Sequence, residues 1–439
     1  MNLTQDFIHG STKKSLAAMV LPLLIAMVLN MAYNLVDSLW IGNLLGETAY
    51  AALTNATPLI LILNAIAMGA TNGVAILLSQ AVGAGDRFRS ARLITTSLVV
   101  AVIFALGLTL ILELTLTPLL LLLQTPAEIF SLTHSYLAIY ILGYLPVYLY
   151  CYFAAVMRSY GNSVIAMLIC TLLNAGLDPL FIHFMGFDGA AVATLLSQTL
   201  CLFCMLGYLH RKPLFSLHLS QFDGSLVADF IRKGIPSAFQ QSIPAISTSF
   251  LTALVSSYGI SALAAYGITG KLETILFYPA MALNMALTSI VGQCAGGKRY
   301  DRAGDYIRLS LFYGVLALIA LSAAVVIFAN PLSHLFVDSD AAAEIVASYF
   351  RIVGIGYVLN TVTNCFLGSL NGLGQPTKSM LCMVLYYLIV RMPLAGILSA
   401  LGFGLNGIWF AVLVSHLIAA AAAAITCSHA LRKMKRAIL

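Results

Sequence analysis

The chain has 439 residues, of which 61% are hydrophobic and only 9% charged, far below the roughly 25% charged residues of a soluble domain. That composition excludes a water-soluble enzyme or binding module and points to a polytopic membrane protein. The net charge of +6 does not indicate nucleic acid, because Lys and Arg fall singly or in short groups between apolar runs, with no basic patch interleaved with aromatics.

The chain opens on a polar stretch, Met1 to Ser15, with Lys13 and Lys14. The apolar run behind it is too long for a cleaved signal peptide, so this end is expected to remain. Windows of about 20 apolar residues then predict helices over 16–39, 51–82, 93–114, 131–157, 164–185, 190–208, 236–257, 263–294, 307–329, 342–370, 379–401 and 406–427. The expected fold is all-α, with twelve transmembrane helices. The longest gap, 210–234, carries Arg211, Lys212, Asp223, Asp229, Arg232 and Lys233. It reads as a cytoplasmic linker between an N-terminal six-helix bundle, 1–209, and a C-terminal one, 235–439.

Basic residues cluster in alternate loops: Lys13 and Lys14; Arg87, Arg89 and Arg92; Arg158; the linker; Lys298, Arg299, Arg302 and Arg308; Lys378; and Arg432 to Arg436. The opposite loops have none and carry acids such as Glu47, Asp188 and Asp338. Both termini are therefore expected on the cytoplasmic side.

The two halves echo each other at a constant offset of 213 residues. Gly46 meets Gly259, Gln80 meets Gln293, Tyr136 meets Tyr349, Gly143 meets Gly356 and Gly161 meets Gly374; after a shift of five, Gly189 meets Gly407 and Ser197 meets Ser415. A six-helix unit returns the chain to its starting side, so the copies are expected to be parallel.

Within the first half, Asn174-Ala-Gly-Leu-Asp178-Pro179 interrupts the apolar run 164–185. A carboxylate at mid-membrane depth costs about 2.5–3.5 kcal/mol and should face a cavity or a partner. Asn174 and Asp178, four apart, share a helix face, and Pro179 lacks the N–H that would satisfy a carbonyl one turn earlier. Such an oxygen-rich, slightly broken helix suits a proton or a small hard cation. An acid satisfied by a neighbouring helix for packing alone is the competing reading. Asp37 is the other candidate intramembrane acid of this half, with Tyr33 and Asn34 one turn away on its stripe. Two carboxylates close together in a low-dielectric site cannot both ionise cheaply, so a proton or a cation is expected between them.

Pro22 followed by Tyr33-Asn-Leu-Val-Asp37, Gln80-Ala-Val-Gly-Ala-Gly85-Asp86, Asn174 to Pro179, Gly189-Ala-Ala-Val-Ala-Thr194 and the echo Gln293-Cys-Ala-Gly-Gly297 occur in an order and spacing that resembles the multidrug and toxic compound extrusion (MATE) transporters. The resemblance spans nearly the whole chain. It implies a V-shaped secondary transporter that exports lipophilic or cationic compounds by alternating access, in antiport with H⁺ or Na⁺ and with no other cofactor. Carried over by position, Asp37, Asn174, Asp178 and Thr194 match a coupling site in the N-terminal lobe, Tyr33 and Tyr136 its hydrogen-bond network, and Pro22 a helix bend. Family branches resembling NorM carry acids in the seventh and tenth helices. Here those stretches read Pro236-Ser-Ala-Phe-Gln240-Gln241 and Asn360-Thr-Val-Thr-Asn364, so the resemblance is to the DinF-like arrangement.

In the second half, Gln240, Lys271, Glu273 and Arg391 remain as interior candidates. Lys271 and Glu273, two apart, do not face each other, and ion pairing across helices is expected ahead of substrate binding. His416 is read as a packed polar residue, and Gln80 to Asp86 and Gln293 to Arg299 as starts of cytoplasmic loops, their glycines allowing a tight exit. No phosphate-binding Gly-x4-Gly-Lys-Ser/Thr pattern occurs, and neither His-Glu-x-x-His nor Gly-x-Ser-x-Gly supports an enzyme. The eight cysteines lie almost wholly in apolar runs and read as packing residues. The expected partners are drug-like small molecules and the lipid bilayer of a bacterial inner membrane, with the protein a monomer. The rival reading on the same fold is a flippase for lipid-linked saccharides, which would need basic residues along its path; only Lys271 and Arg391 qualify.

Overall fold

A computed structural model describes residues 6–122, 125–162, 165–211, 215, 217–334 and 339–437. The described chain is helical throughout, and all twelve predicted helices are found. α1 (Thr12–Gly83) carries the first two, α2 (Arg87–Leu122) the third, and α3 (Ala127–Leu142) with α4 (Tyr144–Ser159) the fourth. α5 (Ile165–Met185) and α6 (Phe187–Arg211) complete the first half. In the second half α7 (Ser225–Ser256), α8 (Ile260–Gly296), α9 (Tyr300–His334) and α10 (Asp340–Gly372) each carry one. The eleventh is α11 (Pro376–Val384), a π-helical turn (Leu385–Arg391) and α12 (Met392–Ala400), and the last is α13 (Gly404–Arg436).

Equivalent glycines break the two halves at equivalent places. α1 turns at Gly46 (φ 83°, ψ −175°), and Gly259 (φ 102°, ψ 175°) separates α7 from α8. Residues with a Cβ are all but barred from that region. Gly161 and Gly374, at φ 71° and 76°, end α4 and α10 alike. The duplication read from identities thus recurs in backbone conformation.

Two compact units result. One holds Leu21–Val82 and Asp86–Gly234; the other holds Ile235–Leu439, residues 83–85 and the described residues up to Val20. The first is cored by a tyrosine ladder at four-residue spacing: Tyr136, Tyr140, Tyr144, Tyr148 and Tyr152 are all buried on one stripe. Their hydroxyls cannot be buried unpaired without cost, and Tyr144 donates to the Leu63 carbonyl at 2.9 Å and Tyr152 to that of Ile94 at 2.7 Å. The stripe continues across Gly143, where α3 and α4 meet at a 48° bend. In the second unit the segment before α1 is fastened by Arg302, which donates to the Phe7 and Gly10 carbonyls, with the Phe7 ring against Tyr306.

Two sequence expectations need correction. Ten residues of the expected linker, Ser225–Gly234, are helical and form the first turns of α7, with Phe230 buried. Gln80 and Gln293 also lie inside α1 and α8, not in loops. Gly83 is needed for close approach, since a Cβ there would fall 2.0 Å from the Gln293 carbonyl oxygen, while Gly85 (φ 72°) makes the turn.

Candidate functional site

In the first unit the site is built on α5. Asn174 and Asp178 sit one turn apart, and both are buried, at 5% and 1% exposure. The Asn174 amide Nδ2 donates to Asp178 Oδ1 at 3.2 Å, so the i, i+4 spacing does bring the pair together. Pro179 follows inside the same helix, removing the N–H that would have bonded the Ala175 carbonyl. α6 packs along α5, and this is possible because Gly189 has no side chain: a Cβ there would lie 2.1 Å from the Phe181 carbonyl oxygen. Thr194 is half-buried on α6, and its carbonyl accepts from Ser197 Oγ at 2.9 Å. Tyr136 is buried and stacks on Phe187, which opens α6, with ring centroids 4.7 Å apart.

Pro22 lies within α1, whose one non-helical residue is Gly46. Tyr33, Asn34 and Asp37 are carried by the same helix, but their side chains lie outside the described residues.

The second unit holds a larger polar cluster, and most of it was missed by sequence reasoning. Glu273 on α8 accepts hydrogen bonds from the hydroxyls of Tyr349 and Tyr357, both on α10. The Tyr357 ring lies 5.8 Å from His416 on α13. Tyr386 Oη is 2.5 Å from His416 Nδ1, and the Arg391 guanidinium donates to Tyr386 Oη at 2.8 Å, to His416 Nε2 at 3.3 Å and through Nε to Ser415 Oγ at 2.9 Å. It also lies over the Tyr386 and Tyr387 rings, 4.7 and 4.6 Å from their centroids. Donation to Nε2 makes that nitrogen the acceptor, which puts the proton of a neutral ring on Nδ1. The wide π turn is what aligns this set, because its i, i+5 register places Arg391 over Tyr386.

For Glu273 and Arg391 these contacts take the place of the expected ion pairing. Among the described residues no ion pair joins Glu273 to a basic side chain; Arg391 is satisfied by hydroxyls, an imidazole and two rings, and Lys271 is exposed. His416, set aside as a packing residue, is a central member. Gln240 belongs elsewhere: its Oε1 accepts from Asn371 at 3.3 Å, and it lines a cavity of about 40 Å³ with Gln241, Asn284 and Asn364. The repeat held a signal for part of the cluster. Tyr349 is the echo of Tyr136 and meets Trp409, at the start of α13, at 4.8 Å, as Tyr136 meets Phe187. At the same offset of 213, Asp178 falls on Arg391.

Among the described residues no group of three or more His, Cys, Asp or Glu could hold a metal ion. Among the described residues the first unit offers instead the buried Asp178 carboxylate with the Asn174 amide on it.

The MatE family model matches residues 22–180 and 236–397, leaving out the segment between the halves. Over 95% of each chain the protein is 28% identical to the Probable multidrug resistance protein YpnP of Bacillus subtilis. It is 26% identical to the FAD transporter of Shewanella oneidensis over 91% of each. In fold it matches a crystal structure of MATE in complex with MaL6 with a TM-score of 0.93, covering 98% of both chains at 22% identity. The chain belongs to the MatE family and is a multi-pass membrane transporter of two six-helix repeats.

Proposed function

We propose that this protein is a secondary active multidrug exporter that moves lipophilic or cationic compounds out of a bacterial cell by alternating access, in antiport with H⁺ or Na⁺. The observation that carries the reading is the buried Asn174–Asp178 pair on α5, an acid held at membrane depth by an amide. Asp178 and Asp37 bind the coupling ion, with Thr194, Tyr33, Asn34 and Tyr136 around them, and Pro22 lets α1 bend as the site fills. Ion and drug favour different states, so occupying one site lowers affinity at the other by the same factor. Both termini face the cytoplasm, and the protein acts as a monomer. The names of the multidrug relatives support the cargo class.

The FAD transporter relative raises an anionic cargo as the alternative, as does the lipid-linked saccharide reading. Against both, the buried base of the second-unit cluster, Arg391, already engages Ser415, Tyr386 and His416 through its Nε and one Nη. The test is ethidium transport by proteoliposomes with proton and sodium gradients imposed separately. Transport driven by one gradient names the ion. No ethidium movement under either, with uptake of an anionic cargo instead, rejects the reading.

A further inference from the structure

Four carboxamides of the second unit meet at the cavity of about 40 Å³: Gln240 and Gln241 on α7, Asn284 on α8 and Asn364 on α10. They can meet because α10 lies against the α8 backbone at Gly368, where a Cβ would fall 2.4 Å from the Asn284 carbonyl oxygen. Thr288 Oγ1 fastens the crossing, sharing its proton between the Asn284 carbonyl at 2.9 Å and the Gly368 carbonyl at 3.3 Å. Among the described residues no charged side chain lines the cavity, so its recognition chemistry is that of neutral hydrogen bonds.

The hydrogen bonds among these amides decide which end of each is left for a ligand. Asn364 Nδ2 donates to the Asn360 carbonyl at 3.0 Å, an oxygen that can only accept, so Asn364 turns its Oδ1 to Asn284, whose Nδ2 donates to it at 3.2 Å. Asn284 keeps Oδ1 as an acceptor. Gln240 Oε1 accepts from Asn371 Nδ2 at 3.3 Å, and Gln240 keeps Nε2 as a donor. Gln240 and Asn371 are 6% and 0% exposed, so this arrangement is held before a ligand arrives. A cavity this small brings the donor and the acceptor within reach of one edge of one molecule. Beside the amides stand Met281, Met285 and Met383, whose polarizable thioethers suit the face or edge of a flat ring.

We infer that this cavity reads the lactam edge of a neutral planar heterocycle, a ring N–H beside a ring carbonyl. Gln240 Nε2 donates to the carbonyl, Asn284 Oδ1 accepts from the N–H, and the methionines hold the ring. The volume is far below the roughly 300 Å³ at which pockets enclose a whole ligand, so the cavity takes the edge and leaves the rest of the ring outside. Methylating the N–H leaves the Asn284 oxygen unpaired and sets a methyl group against it, which is how the site discriminates. The site is independent of the cationic-cargo reading and of the Asn174–Asp178 pair.

The test is scintillation-proximity binding of radiolabelled uracil to the full-length protein in nanodiscs, with unlabelled uracil, dimethyluracil (both ring N–H groups methylated) or glycerol as competitor. Wild type is expected to bind saturably and to be displaced by uracil, with dimethyluracil about 10-fold weaker or more and glycerol without effect. Gln240→Leu should weaken uracil binding about 10-fold or more. Gln241→Leu, half-buried and outside the hydrogen bonds just named, should weaken it several-fold with an unchanged thermal melt, which separates loss of the site from loss of the fold. No saturable binding by wild type, equal displacement by dimethyluracil, or undiminished binding by both variants overturns the site. Displacement by glycerol overturns it in favour of a polyol.

Discussion

Asp178 is the residue whose environment asks most for an explanation, because it is 1% exposed in a membrane helix and its Oδ1 accepts from the Asn174 amide. Replacing Asn174 by Leu keeps the bulk and removes that donor. Losing one donor to a buried acid costs about 1–3 kcal/mol, so Asn174→Leu should unfold several degrees below wild type in a detergent melt; an unchanged melt would mean that the amide contributes nothing. Gly356 offers a second residue-scale test. A Cβ there would lie 2.7 Å from His416 Cδ2, and overpacking of this kind costs about 1–3 kcal/mol. Gly356→Ala is therefore expected to lower the melting temperature and displace His416, visible as a shifted imidazole signal by NMR. The Asn174–Asp178 contact was legible in the sequence because both members lie on one helix and spacing alone sets their distance. The Glu273 cluster was not, because its members come from α8, α10, the π turn and α13, and no periodicity reports which helices become neighbours.

At the scale of elements, the start of α7 is held within the first unit by chemistry that can be titrated. Asp223 accepts from the Ser225 hydroxyl at 2.7 Å and the Ser225 amide at 3.0 Å, starting α7, and pairs with Arg92 on α2. The Ser225 hydroxyl first, then its amide, with Arg92 assisting, hold the Asp223 carboxyl below its ordinary value. A depressed acid contributes stability that is present above its unfolded value of about 3.9 and disappears as pH falls through the lower folded value. The melting difference between wild type and Asp223→Ala should thus be constant from neutral pH down to about 5 and shrink below about 4; a difference independent of pH would contradict the role given to the charge. Gly259→Val should also destabilise, by about 1–3 kcal/mol, since φ of 102° is closed to a β-branched residue. Helix existence was legible here from the length of the apolar runs. Helix ends were not: Ser225–Gly234 has no apolar run to mark it, yet forms the first turns of α7.

Over the whole molecule, the duplicated chain builds two units from one plan and then varies the charge buried at one pair of matching positions. Matching glycines break both halves, and matching tyrosines meet an aromatic in the first two turns of the last helix of each, Tyr136 stacked on Phe187 and Tyr349 edge-on to Trp409. At the position where the first half places Asp178, the second places Arg391 within hydroxyls and rings. Identities at a constant offset disclosed the plan, whereas the exchange of acid for base shows only once the cluster is assembled. This asymmetry is why ion coupling is assigned to the first unit alone. The most direct measurement of that assignment is gradient-driven ethidium export from proteoliposomes by wild type, Asp178→Asn and Asp37→Asn, with Lys271→Gln as an exposed control. The account predicts a loss of at least 10-fold in both acid variants and wild-type rates in the control. Gradient-driven export by Asp178→Asn at the wild-type rate would contradict it.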